Sequence, residues 1–205
     1  EIYAGTLKNY GLVFPTKENT PLSLPDLSEA RTSYMLSKIY GESMCLNSNL
    51  PVTIIRPHNF YGPRMGLSHV IPELMKKTIE SNNSQLDVFS VNHRRTFCYI
   101  DDAVVAIQKL AESKKSAGKA YNIGDEEEEI SMKDLSKKII KMFEKKLKIN
   151  SLPATPGSPE RRCPSISKLK TDINYTKKFP LNIGLERTFD WYNKFVFSGK
   201  EKSAL

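Results

Sequence analysis

No stretch of the 205 residues carries the roughly 18 consecutive apolar side chains that span a bilayer, and no basic segment followed by an apolar one opens the chain. Neither a membrane span nor a secretory leader is expected, and the reading is a soluble, cytoplasmic protein. Cysteine is scarce. Cys45, Cys98 and Cys163 lie far apart, are odd in number and form no Cys-x-x-Cys pair, so neither a zinc site nor a disulfide framework is suggested. The formal net charge of +8 would suit a nucleic-acid partner, but the lysines are spread over several helical stretches (Lys76, Lys77, Lys133, Lys137, Lys138) with no interleaved aromatic side chains to stack on bases. Solvated helix faces account for them, and no nucleic-acid partner is expected. Internal repeats are also absent.

What is present is enough apolar side chain, 39% of the residues, to bury a core. Helical and strand patterns alternate along the chain. A helical stripe (Met35, Leu36, Ile39, Ser43, Leu46) spans residues 28–47. The β-branched run at 52–56 has the pattern of a parallel strand buried on both faces. A loop at 57–64 follows, on the strand's carboxyl end, where open α/β sheets place ligands. Further helices are expected at 69–82, from a cap at Asp101 or Asp102 to Ser113, at 131–146 behind a Ser131/Asp134 capping signal, at 165–174 and at 183–197. Strands are expected at 86–91, 95–100 and 120–124. The acidic run Asp125 to Glu129 reads as a solvated turn, and the tail from Ser198 as disordered.

Chemistry concentrates in Tyr34-Met35-Leu36-Ser37-Lys38. Residues four apart share a helix face, so a phenol and an ammonium stand side by side. A positive charge next to a phenol stabilises the phenolate, which makes Tyr34 a candidate general base. The spacing alone has little weight, since nine tyrosines in a lysine-rich chain give about one such pair by chance.

The surroundings supply the context. Ser33-Tyr34-x-x-Ser37-Lys38 with Gly41-Glu42 behind it, Arg56-Pro57-x-Asn59-x-Tyr61-Gly62-Pro63, the run from Arg95 to Asp102, Asn122-Ile123-Gly124 and the late Arg161-Arg162-Cys163-Pro164 loop occur in one order. Together they resemble the C-terminal two thirds of an extended short-chain dehydrogenase/reductase, the NAD-dependent epimerase/dehydratase family acting on nucleotide sugars. The resemblance implies an α/β fold, the C-terminal part of a Rossmann-like doubly wound parallel sheet plus a small α/β substrate-binding domain. Residues 1–62 and 97–124 would belong to the former, and 63–96 and 125–205 to the latter. It also implies site roles. Tyr34 would take a proton from a sugar hydroxyl, and Lys38 would hold the nicotinamide ribose. Pro57 and His58 would lie beside the nicotinamide. Asn59, His69, Val70, Phe89, Arg95 and Arg162 would hold the nucleotide-diphosphate sugar, with the two arginines on the diphosphate and Phe89 on the base. Glu1 would act in the later steps that dehydratases and decarboxylases of the family carry out.

Two departures stand out. No Gly-x-x-Gly-x-x-Gly turn occurs, nor the acidic residue that would hold the adenosine ribose, so the chain reads as a fragment inactive by itself. Ser165 stands where relatives with this loop often have Asp. The resemblance implies an NAD-dependent enzyme, with NAD expected ahead of NADP, that oxidises the sugar at C4 and returns the hydride. A 4-epimerase is the first expectation, a 4,6-dehydratase or UDP-glucuronate decarboxylase the second, and a non-catalytic nucleotide-sugar-binding or scaffold protein the third. Homodimers through the Tyr34 helix would follow the family habit.

Overall fold

Two parallel strands, β1 (Thr53–Pro57) and β6 (Lys119–Ile123), stand at the centre of one half of the molecule, in register from Thr53 opposite Lys119 to Pro57 opposite Ile123. The computed structural model describes residues 13–198 apart from 23, 25, 30, 31 and 83. Helix α1 (Thr32–Leu46) precedes β1. Helix α3 (Ile100–Glu112) precedes β6, and a short helix, α5 (Ser167–Ile173), lies beside it. Ala103, Ala106 and Leu110 recur at helical spacing and meet Tyr121, Ile123 and Leu169 in one buried cluster. The two alanines allow a close approach of helix to sheet.

The other half is built on β3 (Gln85–Phe89), parallel to β8 (Lys148–Leu152), with α2 (Val70–Glu80), α4 (Met132–Met142) and α6 (Leu181–Tyr192) packed against them. In β3 only Leu86 and Val88 are buried, the period of two expected for a sheet with one wet face. Ile71, Met75, Leu135, Ile139 and Leu185 fill the same core. Each such side chain contributes about 1.5–3 kcal/mol when fully buried. The α4 cap follows the sequence: Ser131 Oγ accepts the Asp134 N–H at 3.0 Å and donates to its carboxylate at 2.7 Å. Lys145 donates to the carbonyls of Thr78 and Ile79 at 2.9 and 2.7 Å and closes the carboxyl end of α2. Two small ladders join the halves: β2 (Phe60–Tyr61) with β5 (Cys98–Tyr99), and β4 (Arg94–Arg95) between β7 (Ile130–Ser131) and β9 (Arg161–Arg162).

Several expectations need correction. Residues 95–100 are not one strand: β4 and β5 belong to different sheets, and α3 starts at Ile100. Asp102 does not cap α3, whose N-cap is Tyr99. It is buried in the first turn and accepts the backbone N–H groups of Lys178 and Phe179, both at 3.0 Å. The acidic run is no solvated turn. Asp125 is buried, its Oδ2 meeting Lys177 Nζ at 2.7 Å, and Glu126, Glu128 and Glu129 each hold a cation or a backbone N–H. The apolar stripe of α1 is mostly uncovered, with only Thr32 and Met35 buried. Strand β1 is not buried on both faces either: Arg56 is its one buried residue and Ile55 is 38% exposed. Among the described residues β1 has a single sheet neighbour, β6. The last helix begins at Leu181 and loosens into a π-turn over Asn193–Phe197. The expected tail beyond Ser198, and residues 1–4, whose pattern reads as a strand end, lie outside the described residues.

Gly184 marks the tightest approach. A Cβ there would lie 2.1 Å from Tyr61 Oη, and the Tyr61 ring is held by edge contacts with Phe97 and Tyr99 at centroid separations of 6.1 and 5.6 Å. Gly184→Ala therefore overpacks a site that cannot yield. It is expected to lower stability by about 1–3 kcal/mol in denaturant unfolding; an unchanged midpoint would show that Tyr61 is free to move.

Candidate active site

On α1, Tyr34, Ser37, Lys38, Gly41, Glu42 and Cys45 follow one another at helical spacing along a single face. That face forms one wall of a cavity of about 890 Å³. Strand β1 forms the second wall, and Asn59, Phe60, Met65, Phe97 and the start of α2 (His69, Val70, Ile71) close it. The cavity runs along the whole of β1, Thr53 to Pro57, and continues into the loop at its carboxyl end, the position that parallel strands offer to ligands.

Lys38 Nζ sits over the Tyr34 ring, 5.2 Å from its centroid, so the ammonium and the phenol are neighbours as the spacing requires. Ser37 is occupied locally, its hydroxyl donating to the Tyr34 carbonyl at 2.7 Å. Tyr34 is 47% exposed and open to a reactant. One helical turn after Lys38, Glu42 takes both arms of Arg56. Arg56 Nε donates to Glu42 Oε2 at 3.1 Å, and Nη2 contacts Oε1. Burial pushes the Glu42 carboxyl up and the Arg56 guanidinium down, and the bidentate contact offsets those desolvation costs. Arg56 Nη1 donates to the Glu18 carbonyl at 2.9 Å, while Glu18 Oε1 accepts the Asn122 N–H at 2.9 Å. A polar network thus joins α1, β1, β6 and the segment before α1.

Six of the expected site residues meet at this cavity: Tyr34, Lys38, Pro57, Asn59, His69 and Val70. Asn59 has a positive φ of 45° and donates its side-chain amide to the Thr96 carbonyl at 2.8 Å, which fixes the loop from within. His69 is the N-cap residue of α2 and makes no side-chain cap bond, so the first N–H groups of that helix are not capped by it. The other four described candidates stand apart from the cavity wall. His58 is buried, with Nε2 3.2 Å from Asn122 Oδ1. The Asn122 amide nitrogen donates to the Thr16 and Ser165 carbonyls, so its oxygen accepts and His58 Nε2 carries the proton. Arg95 is buried and donates to Arg94 O at 2.8 Å, Glu160 O at 3.2 Å and Ser158 Oγ at 3.1 Å. Burial, with Arg162 beside it, lowers its guanidinium to about 10. Arg162 lies opposite Arg95 in the β4–β9 ladder. Phe89 is 49% exposed, with Lys77 Nζ 5.7 Å from its centroid. Glu1 lies outside the described residues. The sequence reading gave no role to Glu42 or Arg56 as a pair, nor to Met65 and Phe97. A glutamate one turn beyond Lys38, on the same helix face, was the available signal for the first.

The model of the NAD dependent epimerase/dehydratase family matches residues 2–124, and the chain belongs to that family. It is 29% identical to UDP-N-acetyl-alpha-D-glucosaminuronate decarboxylase of Bacillus cytotoxicus over 94% of this chain and 63% of that protein. It is 25% identical to GDP-mannose 3,5-epimerase of Arabidopsis thaliana over 93% of this chain and 53% of that protein. Among solved structures, UDP-glucuronic acid 4-epimerase from Bacillus cereus, in complex with UDP-glucuronic acid and NAD, superposes with a TM-score of 0.76 at 28% identity. That match covers 92% of this chain and 60% of the other. The chain therefore spans less than two thirds of the length of these relatives, and the fold is the mixed α/β, Rossmann-like architecture of the group.

Burial drives the His58 imidazole down from 6.5 to about 3, with the charges of Arg162 and Arg56 adding to the effect. The unfolded chain takes up a proton near pH 6.5 that the folded chain refuses until about pH 3, so this residue removes stability as pH falls through that window. The expected slope is about 1.4 kcal/mol per pH unit below 6.5. His58→Gln keeps a donor for Asn122 and removes the titration. Unfolding midpoints measured from pH 7 to pH 4.5 should fall less steeply in the variant, and parallel curves would contradict the assignment.

Proposed function

We propose that the protein is an NAD-dependent nucleotide-sugar 4-epimerase whose base is Tyr34. The observation that carries this reading is the Tyr34–Lys38 pair on the α1 wall of a cavity that runs along β1 to its carboxyl end. Tyr34 takes the proton of a sugar hydroxyl, and Lys38, whose ammonium lies over the Tyr34 ring, would hold the nicotinamide ribose. When bound, NAD supplies the hydride acceptor and donor. The cavity, about 890 Å³ and lined by Pro57 at the strand end, fits its nicotinamide end, while this chain holds no glycine-rich cradle for its diphosphate. NAD rather than NADP is inferred from the relatives' chemistry. Residues 1–62 and 97–124 belong to the cofactor unit and 63–96 and 125–205 to the substrate unit. Asn59 and the amino end of α2 at His69 and Val70 hold the nucleotide-diphosphate sugar, which suits the free N–H donors of a helix start. Phe89, Arg95 and Arg162 stand off the cavity wall, and Arg95 would reach the sugar only if its guanidinium left residues 158–160. The uncovered apolar residues of α1, Tyr40 and Met44 among them, supply a face for a homodimer.

A second reading, decarboxylation of a nucleotide uronic acid, is favoured by the 29% identity to the Bacillus cytotoxicus decarboxylase. In that case Glu1 serves the step after oxidation. The two are separated by incubating the protein from the complete gene with UDP-, dTDP- and GDP-sugars and their uronic acids, then identifying products by mass and NMR: a 4-epimer conserves mass, a decarboxylated pentose does not. Tyr34→Phe in that protein should lower kcat by about 10²- to 10⁴-fold with nucleotide-sugar affinity nearly unchanged. Undiminished turnover would remove Tyr34 from the role of base.

A further inference from the structure

We infer that Glu42, through Arg56, is a positioning residue for the Tyr34–Lys38 pair: it sets the distance of the catalytic helix from strand β1, and so the placement of the phenol in the cavity. The inference rests on the function proposed above. Among the described residues, little else covers helix α1. Of its 15 residues only Thr32 and Met35 are buried, both near its start. Thr32 Oγ1 donates to the Asp26 carbonyl at 2.7 Å, again at that end. Further along, the tie to the strand is the ion pair, whose side chains are 9% and 11% exposed.

The geometry of that tie is specific. The guanidinium is planar, and a carboxylate that takes Nε and Nη2 together can sit in one orientation only. Arg56 itself cannot swing, because Nη1 is held by the Glu18 carbonyl and its backbone lies in register with Asn122 in the β1–β6 pair. Glu42 is one turn from Lys38 and two from Tyr34 on the same face, so a rigid helix carries any shift at Glu42 to the phenol. Displacing a reacting group by about 1 Å costs on the order of 10²-fold in rate. An apolar pair of similar volume would hold helix to strand at least as strongly, so the fork supplies orientation rather than adhesion.

The test uses the protein from the complete gene with the sugar it turns over, and the variants Glu42→Gln, Glu42→Asp and Arg56→Lys. Arg56→Lys keeps the charge and loses the fork, and Glu42→Asp keeps the carboxylate and withdraws it. Each should lower kcat per folded molecule by about 10- to 100-fold while KM stays within about threefold. The double variant Glu42→Gln/Arg56→Lys should be no slower than the slower single one, since both remove the same constraint. Amide hydrogen exchange should quicken across residues 34–46 and stay unchanged in α3 and α4. Wild-type kcat in Arg56→Lys and Glu42→Asp, or exchange that quickens evenly over the whole fold, would overturn the inference and leave the pair a plain structural tie. If the unaltered protein turns over no nucleotide sugar, the proposed function fails instead. The exchange pattern then decides the positioning claim by itself.

Discussion

The run Asp125-Glu126-Glu127-Glu128-Glu129 is the constraint on which the arrangement of the two halves depends. It leaves β6 and turns the chain toward β7 and α4, and its carboxylates spread in several directions. Asp125 and Glu128 converge on Lys177, both at 2.7 Å. Glu126 and Glu127 converge on Lys170 of α5, and Glu129 lies between Arg94 and Arg161 of two neighbouring strands. Glu126 also accepts the Ile166 N–H and Glu128 the Leu181 N–H, which supplies a partner to a backbone donor at the start of α6. Burial alone would raise the Glu129 carboxyl, but its two arginines hold it below the usual range. Five adjacent like charges survive in a folded turn because cations and N–H groups surround them.

The same run prepares the candidate site indirectly. By seating α5 and the loop before it, the run fixes Pro164 and Ser165. Ser165 donates its N–H to the Thr16 carbonyl, and Thr16 donates its own to Cys163 O. The segment around Thr16 and Glu18 is thereby laid against β6, where Glu18 meets both Asn122 and Arg56. Gly124 fits this crowding. A Cβ there would lie 2.7 Å from the Pro164 ring and 3.1 Å from the His58 side chain. The chain of contacts runs from the acidic turn to Arg56, and from Arg56 to the helix that carries Tyr34.

Much of this was legible in the residues. The periodic helices α2 and α4, the capping signal at Ser131 and the order of the motif loops locate most elements to within a few residues, because local pattern and tertiary environment agree there. What was not legible depends on neighbours distant in sequence. A string of acids reads as solvated until Lys170, Lys177, Arg94 and Arg161 are known to face it. The resemblance implies a phosphate role for Arg95 and Arg162, yet no spacing rule says that the Arg95 guanidinium turns onto residues 158–160. His58 and Asn59 are adjacent, and one side chain enters the interior while the other lines the cavity, a choice made by Asn122 and Thr96. The stripe on α1 and the β-branched run of β1 were read as buried because their pattern is that of buried elements. The described residues include few partners for either.

That mismatch bears on how the site works. Elements whose apolar faces are covered gain their placement from packing, which is stiff because close-packed side chains resist displacement. Helix α1 lacks this over most of its length, so directional contacts must supply what packing does not: an ion pair with a planar fork at Glu42 and Arg56, and a hydroxyl bond at Thr32. Directional contacts fix orientation well and supply little net stability once desolvation is subtracted. The Tyr34–Lys38 pair is therefore carried by an element that is well aimed and weakly adhered. Covering its apolar face with a further layer of sheet or a second subunit would add adhesion without altering the aim, since Arg56 and Glu42 already meet inside the described chain.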